Sequence, residues 1–375
     1  MALVNLKNFK NNLFADIKDI PPALSPSYYP FLDGLRALSI ISVLAGHFFR
    51  NSPLLRFIDG GVGVTMFFII SGFLITTLLL KEKVRFGRVS YKSFYMRRAL
   101  RILPVAYLFF MVLLVLNKVF SLNITTNQFL ATAFYAKNFQ WPTDWYSAHF
   151  WSLSIEEQFY LLMPLALLIN TNRYIVSVCA LLIITPIFTF LTFHNVGAFY
   201  TNRPLHLITL GFLAILEKGG VYLLTGSLFS ILIFKGIITP NGFKGSRWLS
   251  LFLFIQALVI HFFTIPYASA IGFTILMLLA LAIDLGRDTV LNKILSIRVL
   301  VKLGILSYSI YIWQQLFAVN QPWQKAFPGA GSPVVNLVML LLVSWLSYTF
   351  YESFFLKLKS RFTKIPDAEK SGRSF

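Results

Sequence analysis

The chain has 375 residues, of which 57% are hydrophobic and only 13% charged, whereas an ordinary soluble domain is about a quarter charged. Its 33 Lys and Arg against 14 Asp and Glu give a formal net charge of +19. The composition excludes a water-soluble globular fold. Because the basic residues flank long apolar runs, the charge reads as membrane topology and not as nucleic-acid binding. The one cysteine, Cys179, lies in an apolar run, which excludes a disulfide and a cysteine-based metal centre.

Residues 1–30 carry Lys7, Lys10, Asp16, Lys18 and Asp19 and lack a signal-peptide pattern, so they read as a cytoplasmic leader ended by Pro21-Pro22. The first span, about 35–49, lies within FLDGLRALSIISVLAGHFF (Phe31–Phe49), which carries Arg36 and His47. Eleven residues correspond to about 16 Å of rise and about 20° of angular offset. Both side chains therefore share one stripe of the helix, roughly half a bilayer apart. Ionisable residues at membrane depth are expensive and commonly functional, and a histidine can serve as general base near neutral pH. The plainer alternative is an arginine that snorkels to the interface and a histidine with a structural hydrogen bond.

A glycine-rich link, Asp59–Gly63, leads into a second span, about 62–80, containing FFIISGFLI. There the Ser71-Gly72 pair predicts close helix packing. Residues 81–101 hold eight Lys and Arg and should be cytoplasmic, which places the N-terminus on the same side two crossings earlier. Arg97, Arg98 and Arg101 open the third span (102–120); 98 and 101 share a helix face, as do 97 and 101. Arginine forks bind phosphate bidentately, so this cluster is either a seat for a phosphorylated cytosolic ligand or an ordinary topology signal.

The link 121–150 has only Lys137 and Asp144 as full charges, and its Trp141, Trp145, Tyr146 and Trp151 suit an outer interface. The fourth span, 151–169, begins WSLSIEEQFYLLMP. Adjacent carboxylates Glu156 and Glu157 in such a stretch need a partner or a proton, and their depth suits His47 on a neighbouring helix. After a fifth span (174–193) come Arg203 and His206 and four apolar runs, near 205–216, 221–238, 249–263 and 267–283. Four crossings there would put the basic segments 284–302 and 356–375 outside, against the charge bias. Either one run is re-entrant or two form one broken span. The last spans are 301–319, with hydroxyls and amides from Ser307 to Gln315, and 333–354, ending at Glu352. The predicted fold is an all-α polytopic bundle of about ten transmembrane helices with both termini cytoplasmic. On the residues alone, a cationic inner mouth and an outer His/Glu pair suit transmembrane group transfer and proton-coupled transport alike.

Seven motifs in order extend from about residue 28 to residue 355: FLDGLRALSIISVLAGHF, FFIISGFLI, RRALRILP, WSLSIEEQFYLLMP, RPLHLITLGFLAIL, GILSYSIYIWQQ and SYTFYE. Together they resemble the acyltransferase-3 family of integral membrane acyltransferases, of the bacterial polysaccharide O-acetylase type. The resemblance implies a membrane domain at 31–356, followed by a basic cytoplasmic tail at 357–375, in the bacterial inner membrane. Its implied reaction moves an acyl group, commonly acetyl, from cytosolic acyl-CoA to a hydroxyl of a lipid-linked or surface glycan, with no metal. On that basis His47 is the catalytic histidine and Arg36 its motif partner, with Glu156 or Glu157 in the acceptor-side polar group. Arg97, Arg98, Arg101 and Ser71 are assigned to the acyl donor; Trp151, Tyr160, Arg203, Tyr311 and Gln314 are assigned to the acceptor. Family members often have histidine at the position of Gln314. Glutamine cannot be protonated, so no proton relay is expected there. Some members carry an added extracytoplasmic hydrolase-like domain, which the residues after 356 are too few to form.

Overall fold

The computed structural model describes residues 9–49, 60–140, 142–194, 196–242, 245–263, 266–319, 321–324 and 327–362. Asp59, Trp141 and the tail beyond 362 lie outside these. The described residues form helices joined by turns. The principal helices, in chain order, are α1 (Pro30–Phe48), α2 (Gly60–Phe86), α3 (Tyr91–Phe120), α4 (Phe150–Ile169), α5 (Thr171–Phe193), α6 (Arg203–Phe234), α7 (Leu249–Phe263), α8 (Pro266–Gly286), α9 (Arg298–Phe317) and α10 (Pro333–Lys359). Eight of these are long and apolar enough to cross a membrane; α7 is shorter, and α9 carries the polar run of the ninth expected span.

Local chemistry sets the boundaries. Pro30 opens α1 in the first turn, where its missing N–H costs nothing. Ser90 caps α3 by accepting from the Ser93 N–H at 3.3 Å, after Gly87 turns the chain at φ 69°. The basic stretch 81–101 is therefore mostly helix. Lys81 to Arg85 extend α2, and Arg97, Arg98 and Arg101 lie on α3, where long basic side chains can run along the helix to its polar end.

The runs expected near 205–216 and 221–238 are one broken span. α6 passes through a π-helical segment, Leu216–Gly220. There a side chain at Gly219 would lie 2.1 Å from the Phe68 ring, so only glycine lets the bend seat against α2. The second half of α6 runs along α2, and Gly72 permits their contact: an added Cβ would lie 2.0 Å from the Leu223 carbonyl oxygen. α9 lies along α1, and α1 beside α2.

One end of the bundle is marked by the leader. Lys81 donates to the Pro26 carbonyl at 2.7 Å, Asn172 at the start of α5 donates to that of Phe14 at 3.0 Å, and Lys235 just after α6 donates to that of Ala15. At the opposite end, part of the link 121–150 packs into the bundle while Leu130, Phe134 and Phe139 stay exposed. A short helix, Thr126–Ala133, with a Thr125/Gln128 capping box, is followed by a turn at Lys137–Phe139 that enters the bundle. The Lys137 N–H donates to Ser154 Oγ at 3.1 Å, Asn138 to Gln158 at 3.2 Å, and Lys218 to the Asn138 carbonyl at 3.3 Å. The segment plugs this end.

Candidate active site

A vestibule of about 480 Å³ opens at the leader end, walled by Tyr28, Tyr29, Lys81, Arg101, Glu352 and Lys359 among others. It continues into an inner cavity of about 160 Å³; Arg36, Arg101 and Tyr308 line both. Arg36 is held by Asp33 at 3.2 Å, and the Tyr28 hydroxyl donates to the other Asp33 oxygen at 2.7 Å. The Arg98 guanidinium lies 5.6 Å from the Tyr160 ring centroid and 5.9 Å from that of Phe94, contacts suited to a delocalised cation. Among the described residues neither Arg98 nor Arg101 enters an ion pair, which leaves both charges for an anion. Arg97 is placed differently. It pairs with Glu82 at 2.7 Å, donates to the Phe362 carbonyl at 2.8 Å, and does not line the cavity. Lys81 and Lys359, cations not singled out from the sequence, wall the vestibule instead.

Deeper in, Ser152, Glu156 and Tyr160 recur every fourth residue of α4 and so present one face to the cavity, whereas the adjacent Glu157 does not line it. Ser71 of α2 lines the same cavity as Glu156 and Tyr160, its hydroxyl bearing on both of their polar groups. Ser152 Oγ and the Tyr311 hydroxyl, from α4 and α9, are 2.6 Å apart at the far wall. The small Ser71-Gly72 pair thus serves both readings: Gly72 seats α6, and Ser71 faces the polar cavity.

His47 lies beyond this wall. Its Nδ1 is 2.6 Å from Oε1 of Gln314, which is fully buried on α9 one turn past Tyr311. The Gln314 amide nitrogen donates to Gln315 Oε1 at 3.4 Å, leaving its oxygen as acceptor. In the tautomer whose Nδ1–H donates to that oxygen, the lone pair is on Nε2. Trp145 meets the His47 ring edge-on at 6.1 Å and donates its indole N–H to the Gln315 carbonyl at 3.2 Å. The carboxylate expected beside His47 is therefore not what holds its Nδ1. α9, which lies along α1, supplies that partner, while Glu156 faces Ser71 on α2.

His149, just ahead of α4, was not foreseen. It is buried against Phe109, Phe150 and Tyr311, at 5.4, 5.0 and 5.6 Å between ring centroids. Neither ring nitrogen makes a well-formed hydrogen bond, the Ile312 carbonyl being the one backbone acceptor that bears on it. Burial, and then the nearby His47, push its pKa down from 6.5 to about 3. Of the other expected residues, Tyr160, Tyr311 and Gln314 belong to the cavity or to His47. Trp151 packs edge-on against Phe68 at 6.0 Å without lining the cavity, and Arg203 is exposed at the start of α6. His206 is tied by Nδ1 to the Phe199 carbonyl at 2.7 Å.

An all-α membrane bundle with a cation-walled vestibule at one end, and a histidine held by a buried amide beyond it, defines an integral membrane protein with a polar, chemically equipped interior. The chain belongs to the acyltransferase domain family, whose pattern matches residues 29–352 and so takes in both cavities as far as Glu352 and the His47 site. It is 28% identical over 367 residues to O-acetyltransferase OatA of Staphylococcus aureus strain NCTC 8325, covering 90% of this chain and 59% of that protein. Another S. aureus protein (strain COL), SACOL0978, provisionally named an O-acetyltransferase, is 30% identical over 384 residues, covering 88% of this chain and 58% of its own length. The chain thus spans just under three fifths of the curated relatives it matches. No solved structure matches it.

Proposed function

We propose that this membrane acyltransferase moves an acetyl group from acetyl-CoA to a hydroxyl of a lipid-linked or surface glycan, with His47 as general base. The observation that carries the reading is the 2.6 Å contact from His47 Nδ1 to Gln314 Oε1, one turn beyond a cavity that opens among Arg36, Arg98 and Arg101. The leader end, with its basic helix termini, is taken as cytoplasmic, and the membrane as the bacterial inner membrane. The 3′-phosphate and diphosphate of coenzyme A are polyanionic and suit the vestibule, where Arg101 has no competing ion pair among the described residues, Lys81 and Lys359 add charge, and Arg98 lines the inner cavity just beyond. The slender pantetheine arm then follows the inner cavity past Ser71 and Glu156 towards Tyr311.

The acceptor hydroxyl approaches from the plugged end. As its oxygen attacks the thioester carbonyl, its proton passes to His47 Nε2; the C–S bond then breaks, and the coenzyme A thiolate takes a proton as it leaves. A thioester is a better acyl donor than the oxygen ester formed, so the transfer needs no other energy source. Gln314 and Trp145 support this role by holding the ring from α9 and from the plug. Purified protein in lipid vesicles, given labelled acetyl-CoA, is expected to release coenzyme A only with a glycan acceptor. Passage of acetyl groups or protons without thioester cleavage would instead support the transporter reading of the same residues.

A further inference from the structure

We propose that the buried Lys137–Asp144 ion pair positions Trp145 as a platform for the sugar ring of the acceptor beside His47, an inference that rests on the acyl-transfer reading above. Lys137 is only 2% exposed although it belongs to the segment that closes the bundle end. Taking an ion pair out of water is expensive, and well-packed apolar residues of similar volume often give equal or greater stability. What the pair supplies here is a fixed geometry.

Asp144 does more than neutralise Lys137. One of its oxygens accepts from the Ser147 N–H at 2.7 Å and the other from the Ser147 hydroxyl at 2.7 Å, and Ser147 is in turn reached by Thr132 at 3.0 Å. The tight turn 144–147 is therefore pinned to the short helix on one side and to Lys137 on the other. Trp145 is the residue that this turn presents.

From that turn, Trp145 reaches the reactive histidine. Its indole N–H is spent on the Gln315 carbonyl, next to the residue that holds His47 Nδ1, and its ring meets the imidazole edge-on at 6.1 Å. With its one polar atom committed and the side chain only partly buried, it offers an apolar aromatic face. A face of that kind takes the C–H side of a pyranose and leaves the ring hydroxyls directed outwards. The platform stands at the end of the bundle opposite the donor vestibule, as an acceptor that arrives from the far side requires.

The test measures coenzyme A release in vesicles, with dodecyl glucopyranoside as acceptor and dodecanol as the control that lacks a sugar. Wild type should release coenzyme A with the glucoside and not with dodecanol. Trp145→Ala, which leaves the ion pair intact, and Lys137→Met should each raise the KM for the glucoside about tenfold or more while leaving the KM for acetyl-CoA unchanged. Trp145→Phe, which keeps an aromatic face, should recover most of the loss. The double variant should be no worse than Trp145→Ala alone, because the pair acts through the indole. An unchanged glucoside KM in Trp145→Ala, a rise in the acetyl-CoA KM of similar size, additive losses, or equal use of dodecanol would each overturn the proposal while leaving acyl transfer standing. No release with either acceptor, together with flux of intact substrate, would overturn the underlying reading instead.

Discussion

Replacing Gln314 by methionine removes the acceptor from His47 Nδ1 while keeping a side chain of similar length in a fully buried position. Two losses follow. The hydrogen bond contributes about 0.5–1.5 kcal/mol, and a buried N–H left without a partner costs about 1–3 kcal/mol more. The ring escapes the second penalty by shifting its proton to Nε2 or by turning, and either response removes the lone pair from the position facing the acceptor hydroxyl. The two losses together are about 1.5–4.5 kcal/mol, which at about tenfold per 1.36 kcal/mol is a fall in kcat of about 10- to 10³-fold, against about 10²–10⁴-fold for losing the base altogether. The assay is acceptor-dependent release of coenzyme A from saturating acetyl-CoA by purified protein in vesicles, with folding followed by thermal unfolding. Because the donor cavity is untouched, the acetyl-CoA KM should not move. Wild-type turnover in a folded Gln314→Met protein would refute the reasoning, since His47 would then need no orienting amide.

Arg101→Gln should raise the acetyl-CoA KM about tenfold or more, as expected on losing a charge-assisted bond to phosphate, whereas Arg97→Gln, which breaks the Glu82 pair, should lower thermal stability without that KM effect. Steady-state kinetics on both variants separates the roles. Gly72→Ala forces a methyl group to within 2.0 Å of the Leu223 carbonyl oxygen and should destabilise the protein by about 1–3 kcal/mol, read as a lower unfolding temperature. His149 is neutral in the fold, with its pKa pushed down to about 3 from 6.5. Between those values the unfolded chain binds a proton that the folded chain does not, so stability is complete above 6.5 and is lost as pH falls towards 3. Denaturation followed across that range should show a flatter profile in His149→Phe.

Much of the architecture was legible because apolar runs and basic flanks are coarse signals that survive in any order of packing. Charge parity even required that the four runs between 203 and 283 not all cross, leaving one re-entrant run or one broken span. The choice was not legible, because the break depends on a Phe68 ring meeting Gly219, and hydropathy carries no such contact. The Arg36–His47 stripe followed from helical period alone. The partner on His47 Nδ1 did not: depth pointed to Glu156 or Glu157, and only the contact of α9 with α1 brings Gln314 to the ring. The four-residue spacing of Ser152, Glu156 and Tyr160 was present in the sequence and separates Glu156 from Glu157 once a helix face is drawn. Lys137 and Asp144 stood out as the only charges in a neutral aromatic stretch. Their burial was hidden because tryptophans and tyrosines suit a membrane interface and a plug equally well.

The central claim is that His47 takes a proton from an acceptor hydroxyl while a thioester is cleaved. Acetyl transfer from labelled acetyl-CoA to a glycan acceptor, compared between wild type and His47→Ala in the same vesicles, tests it most directly. The account predicts acceptor-bound label with wild type, and a loss of about 10²–10⁴-fold in a folded, membrane-inserted His47→Ala protein. Undiminished transfer by that variant would contradict it.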